Sequence, residues 1–332
     1  MQLKNSLAMT ALATLTAGLL AALPLTSAAQ AAWPNKPVRI VASAAPGGAS
    51  DFVSRLVGDR LSKALGQPVV VDNKAGANGA LGAAEVARAA PDGYTLLVTL
   101  GDTLINNVAM YKTLAYDPFK DFAYITQAVR SPAVISANTD LPVKNLADLQ
   151  KLAQQQPGKL SYGSWGPGGL GHLAGEALNR KLNAGMVHVP QRGEAPVMAD
   201  LLSKTVSLGL TSAGLAKPQV LAGKVTPLAI MGRERSPALP NLPTMREQGF
   251  DDPLFDAAVY IAFLAPAKTP EPVLRRLATE IRAILAMPDV QAALAERGLD
   301  TMNTTPEQFA ASHRAEFDVI IRRMKEFGIQ AE

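Results

Sequence analysis

The 332-residue chain contains no cysteine. Disulfides, thiolate metal sites and thiol nucleophiles are therefore excluded, and packing alone must hold the core. Histidine is nearly absent as well: His172, His188 and His313 are the only three, and none stands at a metal-ligand spacing from another. A serine nucleophile fares no better, because Ser164 has Tyr162 where a nucleophile elbow requires glycine. No pair of acid and base residues stands out. Beyond the first thirty residues no apolar run approaches the ~20 residues that span a bilayer. Charge of one sign is not concentrated either. The net charge is +4, and its densest basic pairs, Arg275-Arg276 and Arg322-Arg323, are isolated. A nucleic-acid binder would gather its basic residues on one stripe. Internal repeats and low-complexity tracts are missing. These absences favour binding over catalysis and exclude a nucleic-acid partner.

What the chain does carry begins at its first residue. A basic start, Met1-Gln2-Leu3-Lys4, precedes an uncharged stretch through Leu12, Leu15, Leu19, Leu20 and Leu23 that stops at Pro24. Small residues follow to Ala32, with Ala29-Gln30-Ala31 as the cleavage triplet. This is the form of a secretory signal peptide over residues 1–31. The expectation is a soluble mature protein of about 300 residues outside the cytoplasm, enough for one large domain or two medium ones.

From Pro37 short β-branched runs alternate with amphipathic stretches. Strands are expected at Val38–Val41, Pro68–Val71, Tyr94–Val98, Ala133–Ser136, Lys159–Tyr162, Met186–Val189, Val206–Leu210 and Val225–Ile230. Helices are expected between them, including about 50–65 and 80–90. Such alternation predicts an α/β protein of parallel-rich sheets flanked by helices, with too many units for one sheet and hence two lobes. Thr305-Pro306-Glu307-Gln308 is a capping-box start for a C-terminal helix, with His313 on its apolar face as a core residue.

Two glycine-rich turns lie between a strand and a helix, where ligands bind in open α/β sheets. The first is Ala45-Pro46-Gly47-Gly48-Ala49-Ser50-Asp51. Its glycines let the backbone approach a ligand, and the helix start offers unpaired amides to an anion. The plainer reading is a tight turn in which Ser50 or Asp51 caps the helix. The second runs from Tyr162 to His172, with Ser164 as a hydroxyl donor, Trp165 as an apolar wall and Gly166, Gly168 and Gly169 as the flexible backbone. Gly166, Gly168 and Gly171 also form a formal G-x-G-x-x-G, with Glu194 further on. Pro167 inside the turn and the export signal count against a dinucleotide. His172 stands where it would orient the turn.

The residues then resemble a known family. Trp33–Val41, the turn Ala45–Asp51, Leu65–Gly79, Ala90-Pro91-Asp92-Gly93-Tyr94, Gly171-His172-Leu173-Ala174-Gly175-Glu176 and Leu239-Pro240-Asn241-Leu242-Pro243-Thr244 are similar, in order, to the Bug-type substrate-binding proteins of tripartite tricarboxylate transporters. The resemblance implies a two-lobed periplasmic binding fold of type II, the Venus-flytrap kind. Lobe 1 would hold residues 33–132 plus 260–332, and lobe 2 residues 133–259. It also implies a monomer without cofactor or metal that delivers a small carboxylate to integral membrane transporter subunits. The ligand-binding residues it implies are Ala45, Pro46, Gly47, Gly48 and Ser50 on one lobe, and Ser164, Trp165, Gly166, Gly168 and Gly169 on the other. Where the family commonly has Tyr-Lys-Gly, this chain has Gln191-Arg192-Gly193, so Arg192 joins the candidates. Gly169, Trp165 and Val206-Ser207 also depart from the pattern. These changes shift the expected ligand toward a dicarboxylate or an aromatic or apolar carboxylate. A periplasmic sensor that reports ligand to a signalling protein, or an exported enzyme acting on a small acid, are the alternatives.

Overall fold

Eleven strands and eleven α-helices are found among the residues, 33–329, that the computed structural model of the chain describes. The expected signal segment lies outside the described residues. In chain order the elements are β1 (Val38–Ala42), α1 (Ala49–Leu65), β2 (Val69–Asn73), α2 (Ala80–Ala87), β3 (Thr95–Leu100), α3 (Gly101–Leu104), α4 (Asn106–Met110) and β4 (Phe122–Ser131). Then come β5 (Ala133–Ala137), α5 (Leu146–Gln155), β6 (Ser161–Ser164), α6 (Leu170–Leu182), β7 (Val187–Pro190), α7 (Glu194–Leu202), β8 (Leu208–Ser212), α8 (Ala213–Leu221) and β9 (Thr226–Ile230). The chain closes with β10 (Val259–Pro266), α9 (Glu271–Leu285), α10 (Pro288–Glu296), β11 (Asp300–Thr301) and α11 (Pro306–Glu326).

The strands form a six-stranded sheet of order β11-β4-β10-β3-β1-β2 and a five-stranded sheet of order β7-β6-β8-β5-β9. Both are mixed, with four parallel and five antiparallel strand pairs between them. In the first, β1 pairs in parallel with β2 and β3, and β10 runs antiparallel between β3 and β4. In the second, β6 is parallel to β7 and β8, and β5 runs antiparallel to β8 and β9. The reversed strands, β5 and β10, are those that enter a sheet directly after the chain has left the other. All eight strands expected from the sequence are present, with ends shifted by two residues at most.

Helices on both faces bury the parallel strands, which is why they read as continuous apolar runs. Val38, Ile40, Val41 and Ala42 of β1 are fully buried; Arg39 of the same strand reaches out to Asp72 and Glu85. One apolar cluster runs without a break from Val41, Leu97 and Leu264 in the six-stranded sheet to Ile135, Tyr162 and Leu210 in the five-stranded one, with Phe255 and Phe309 within it. Helix α11 begins with the expected capping box: the Gln308 amide donates to Thr305 Oγ1, and the Thr305 amide donates to Gln308 Oε1. No helix among the described residues is long and apolar enough to cross a membrane.

Candidate functional site

The turn between β1 and α1 leaves Ala45, Pro46 and Gly47 exposed, with Gly47 at φ +85°. Its N-cap is Gly48, and no side chain caps it. The reading that Ser50 or Asp51 caps the helix is therefore corrected. The Asp51 carboxylate instead accepts from the Gly47 amide (2.9 Å), Asn73 Nδ2 (2.9 Å) and Arg55 Nε (3.0 Å). Burial alone would raise its pKa, but these hydrogen bonds outweigh burial and hold it below the usual carboxylate range. The side chain thus braces the turn from inside. Ser50 is buried, and its hydroxyl has no partner among the described residues. The amides that open α1 have no acceptor within the helix, as at any helix start.

The turn between β6 and α6 is built on a stack of rings. Ser164 is fully buried, with Oγ 2.8 Å from His188 Nε2 on β7. The His188 ring stacks on Tyr162 at 4.8 Å and on His172 at 3.9 Å, the two imidazoles lying within 7° of parallel. The Gly168 amide donates to His172 Nδ1 (3.1 Å), so the His172 proton sits on Nε2 and the ring orients the turn. Burial, with His172 beside it, pushes His188 down to about 4, and burial lowers His172 too, so both rings are neutral near pH 7. The expected hydroxyl donor, Ser164, thus has a protein partner.

Outside this stack Trp165 folds back over the first turn of α6. A Cβ on Gly169 would stand 2.9 Å from Trp165 Nε1, and one on Gly171 2.7 Å from Trp165 Cζ3. These two glycines therefore fit the indole. Gly168, at φ +71°, packs against Met110, and its carbonyl accepts a hydrogen bond from Asn106 Nδ2 at 2.6 Å.

That last bond joins the two halves of a cavity of about 260 Å³. One wall is Trp165–Gly169. The other is Asn78, Asp102, Asn106, Asn107 and Met110, from the connections of the six-stranded sheet. Asn78 and Asn107 hold each other through Asn78 Nδ2 to Asn107 Oδ1 (2.8 Å) and Asn107 Nδ2 to the Asn78 carbonyl (3.2 Å). Residues 45–50 do not line this cavity. Arg192, at the end of β7, is exposed and has no ion pair among the described residues. Glu194 is turned to Ser212, accepting from its amide (3.1 Å) and its hydroxyl (2.5 Å).

The structure thus brings Trp165, Gly166, Gly168 and Gly169 together at one cavity and adds residues that sequence reasoning missed. The missed group is Asn78, Asp102, Asn106, Asn107 and Met110. Its signal was legible in kind: Gly101-Asp102 follows the carboxyl end of β3, where ligands gather. Among the described residues no group of three or more His, Asp or Glu side chains could hold a metal.

Two α/β sheets joined by crossing strands, with glycine-built helix starts at their strand ends, define a solute-binding protein of the periplasmic type. The model of the tripartite tricarboxylate transporter family receptor matches residues 53–325, and the chain belongs to that family. It is 33% identical over 300 residues to a UPF0065 protein of Pseudomonas sp. (strain P51), covering 90% of this chain and 89% of the relative. Two solved structures are each 32% identical. One is R. palustris Rpa4515 with adipate, at a TM-score of 0.77 over 90% of this chain and all of that one. The other is the periplasmic binding protein BugD, at 0.73 over 90% of this chain and all of that one. The family and these structural neighbours are binding proteins, not enzymes.

Proposed function

We propose that the chain is an extracytoplasmic solute-binding protein that captures a small carboxylate and delivers it to the membrane subunits of a tripartite tricarboxylate-type transporter. The observation that carries this reading is the cavity where the glycine-built start of α6 meets Asn106 and Asp102 across the two sheets. Helix starts favour anions because their first amides lack acceptors and carry the positive end of the helix dipole. A dicarboxylate occupies the R. palustris neighbour. The lobes are residues 33–132 plus 260–332 and residues 133–259, a division supported by the way the strands sort between the sheets. Ala45, Pro46, Gly47, Gly48 and Ser50 would meet the ligand from one lobe. Ser164, Trp165, Gly166, Gly168, Gly169 and Arg192 would meet it from the other.

Charge-assisted hydrogen bonds contribute roughly 1.5–3 kcal/mol each. Four of them give about 6–12 kcal/mol before association costs, while micromolar affinity needs about 8 kcal/mol. Apolar burial against Trp165 and Met110 makes up the difference. Titration calorimetry with C4–C6 dicarboxylates and their dimethyl esters tests the reading. Binding of the acids, none of the esters, and recovery of the acid unchanged are expected. Conversion of the acid would instead establish an enzyme. Export with cleavage near Ala31 is checked by N-terminal sequencing of protein from the native envelope, where a retained Met1 would contradict it.

A further inference from the structure

The bond that sets the α6 turn is made by a nitrogen that can take a proton. His172 is the third residue of α6, and its Nδ1 accepts from the amide of Gly168, just before the N-cap Gly169. Asn106 holds the carbonyl of the same glycine. The peptides on both sides of Gly168 are thereby fixed, and they lead the chain into the open amides of the helix start. An imidazole accepts only through an unprotonated nitrogen. The neutral His172 ring carries its proton on Nε2, so the next one can go only to Nδ1. It would set an N–H of the ring against the N–H of Gly168. Turning the ring over offers no escape, because a charged imidazole has no acceptor left. The ring is also clamped: it lies on His188 at 3.9 Å, and His188 is held by Ser164 and Tyr162 of β6. Among the described residues Glu176, one turn along α6, is the charged side chain whose field reaches both rings, and Arg180 binds it at 2.7 Å. A charge on His172 keeps a second proton off His188, so the pair takes its first proton at His172.

Resting on the carboxylate reading above, we propose that His172 is a positioning residue that couples carboxylate capture to one proton: the α6 turn holds ligand only while Nδ1 is bare. By linkage the bound ligand holds the proton off to the same extent. Affinity therefore falls as pH drops through the titration of this ring. Burial places that titration below 6.5, with Glu176 opposing, and the positive end of the helix dipole also disfavours a charge in the first turn. The charge of the ligand alone would act in the opposite sense, drawing a proton onto a nearby histidine. The sign of the coupling thus separates a residue that sets the turn from a bystander beside an anion.

The first test needs no ligand. With only three histidines in the chain, NMR can follow the His172 ring and the Gly168 amide through one pH titration. The amide signal is expected to move along the same curve as the ring, with a midpoint below 6.5. An amide that stays still while the ring titrates overturns the inference. Calorimetry with the tightest-binding of the C4–C6 dicarboxylates then follows affinity from pH 7.5 to pH 5. His172→Asn puts Oδ1 where Nδ1 stood and cannot titrate, so protonation of the ligand itself cancels between the two proteins. The wild type is expected to lose about threefold or more in affinity relative to this variant over the interval. His172→Leu, with no acceptor, should bind weakly at every pH. A constant ratio of wild type to His172→Asn, or a wild type that gains on the variant in acid, overturns the coupling and leaves carboxylate capture standing. A Gly168 signal that titrates in a protein that binds none of the acids overturns the carboxylate reading, and the coupling with it.

Discussion

At Gly168 one added methyl group would meet the Met110 sulfur at 2.6 Å, on a backbone with φ +71° that only glycine adopts without strain. Met110 is a flexible side chain that can move aside, so the fold should survive the change. The backbone cannot relax as cheaply, and a non-glycine residue in this region costs roughly 1–2 kcal/mol. Gly168→Ala is therefore expected to lose about that much stability in urea denaturation and at least tenfold in carboxylate affinity. Unchanged affinity would separate the turn from the site. Arg192 poses the opposite problem, being exposed, just past the carboxyl end of β7 and without an ion pair among the described residues. The neighbouring Glu194 does not pair with it, being committed to Ser212. Arginine grips carboxylates through two parallel hydrogen bonds. Arg192→Ala should weaken a dicarboxylate by tenfold or more, about 1.4 kcal/mol, and a matched monocarboxylate much less. Equal losses would place Arg192 at the rim. The glycines of both turns were legible in the sequence because a strand, a glycine run and a helix follow one another locally. Asp102 and Asn106 were not legible as partners of Gly168. Asn106 bonds to it across 62 positions of chain and Asp102 lines the same cavity, and only the packing of two sheets brings them together.

Among the elements, the strands that escaped sequence reading are β4, β10 and the short β11. The register between β10 and β4 shifts twice, between Ile261 and Ala262 and between Phe263 and Leu264, which breaks the alternation a strand would otherwise show. Both are also central in their sheet, so their apolar faces carry no period of two. The capping box at Thr305 was readable because it depends on four consecutive residues and nothing distant. A contact between elements that no local pattern announces is that of α8 with the turn after α10. A Cβ on Gly214 would fall on the Arg297 carbonyl, and one on Gly298 would fall 2.4 Å from the Gly214 backbone. Arg297 is held in turn over the Phe52 ring of α1, 4.1 Å from its centroid. Here the obstruction is backbone, which cannot rotate away as Met110 can. Gly214→Ala should therefore cost about 1–3 kcal/mol, the range for overpacking a tight contact. A thermal unfolding midpoint equal to the wild type would show that α8 and this turn yield more readily than the geometry implies.

On the scale of the whole molecule, one continuous core makes acid stability a property of both sheets at once, and His313 is where it can be measured. The residue is fully buried on α11, with the rings of Phe119 at 4.9 Å and Tyr124 at 5.5 Å. The Tyr260 hydroxyl lies 2.9 Å from its Nδ1. Burial raises the Tyr260 pKa, so the phenol stays protonated and donates to Nδ1. The imidazole proton is then on Nε2, which has no partner among the described residues. Burial, with the charge of Arg314 adding to it, pushes His313 from 6.5 down to about 4. At this ring the unfolded chain therefore binds more protons than the folded one between these values, and the ring's contribution to stability rises with pH across that window. The contribution is fully present above pH 6.5 and is lost as pH falls toward 4. Its size follows from the two pKa values, ~3 kcal/mol in all. His188, also held near 4, adds a smaller loss in the same direction because it is only partly buried. His313→Gln keeps an acceptor for Tyr260 and removes the titration. Urea denaturation at a series of pH values should show the variant losing up to ~3 kcal/mol less stability than the wild type between pH 6.5 and 4. An equal loss in both proteins would move the acid sensitivity away from α11, to His188, the other ring held near 4.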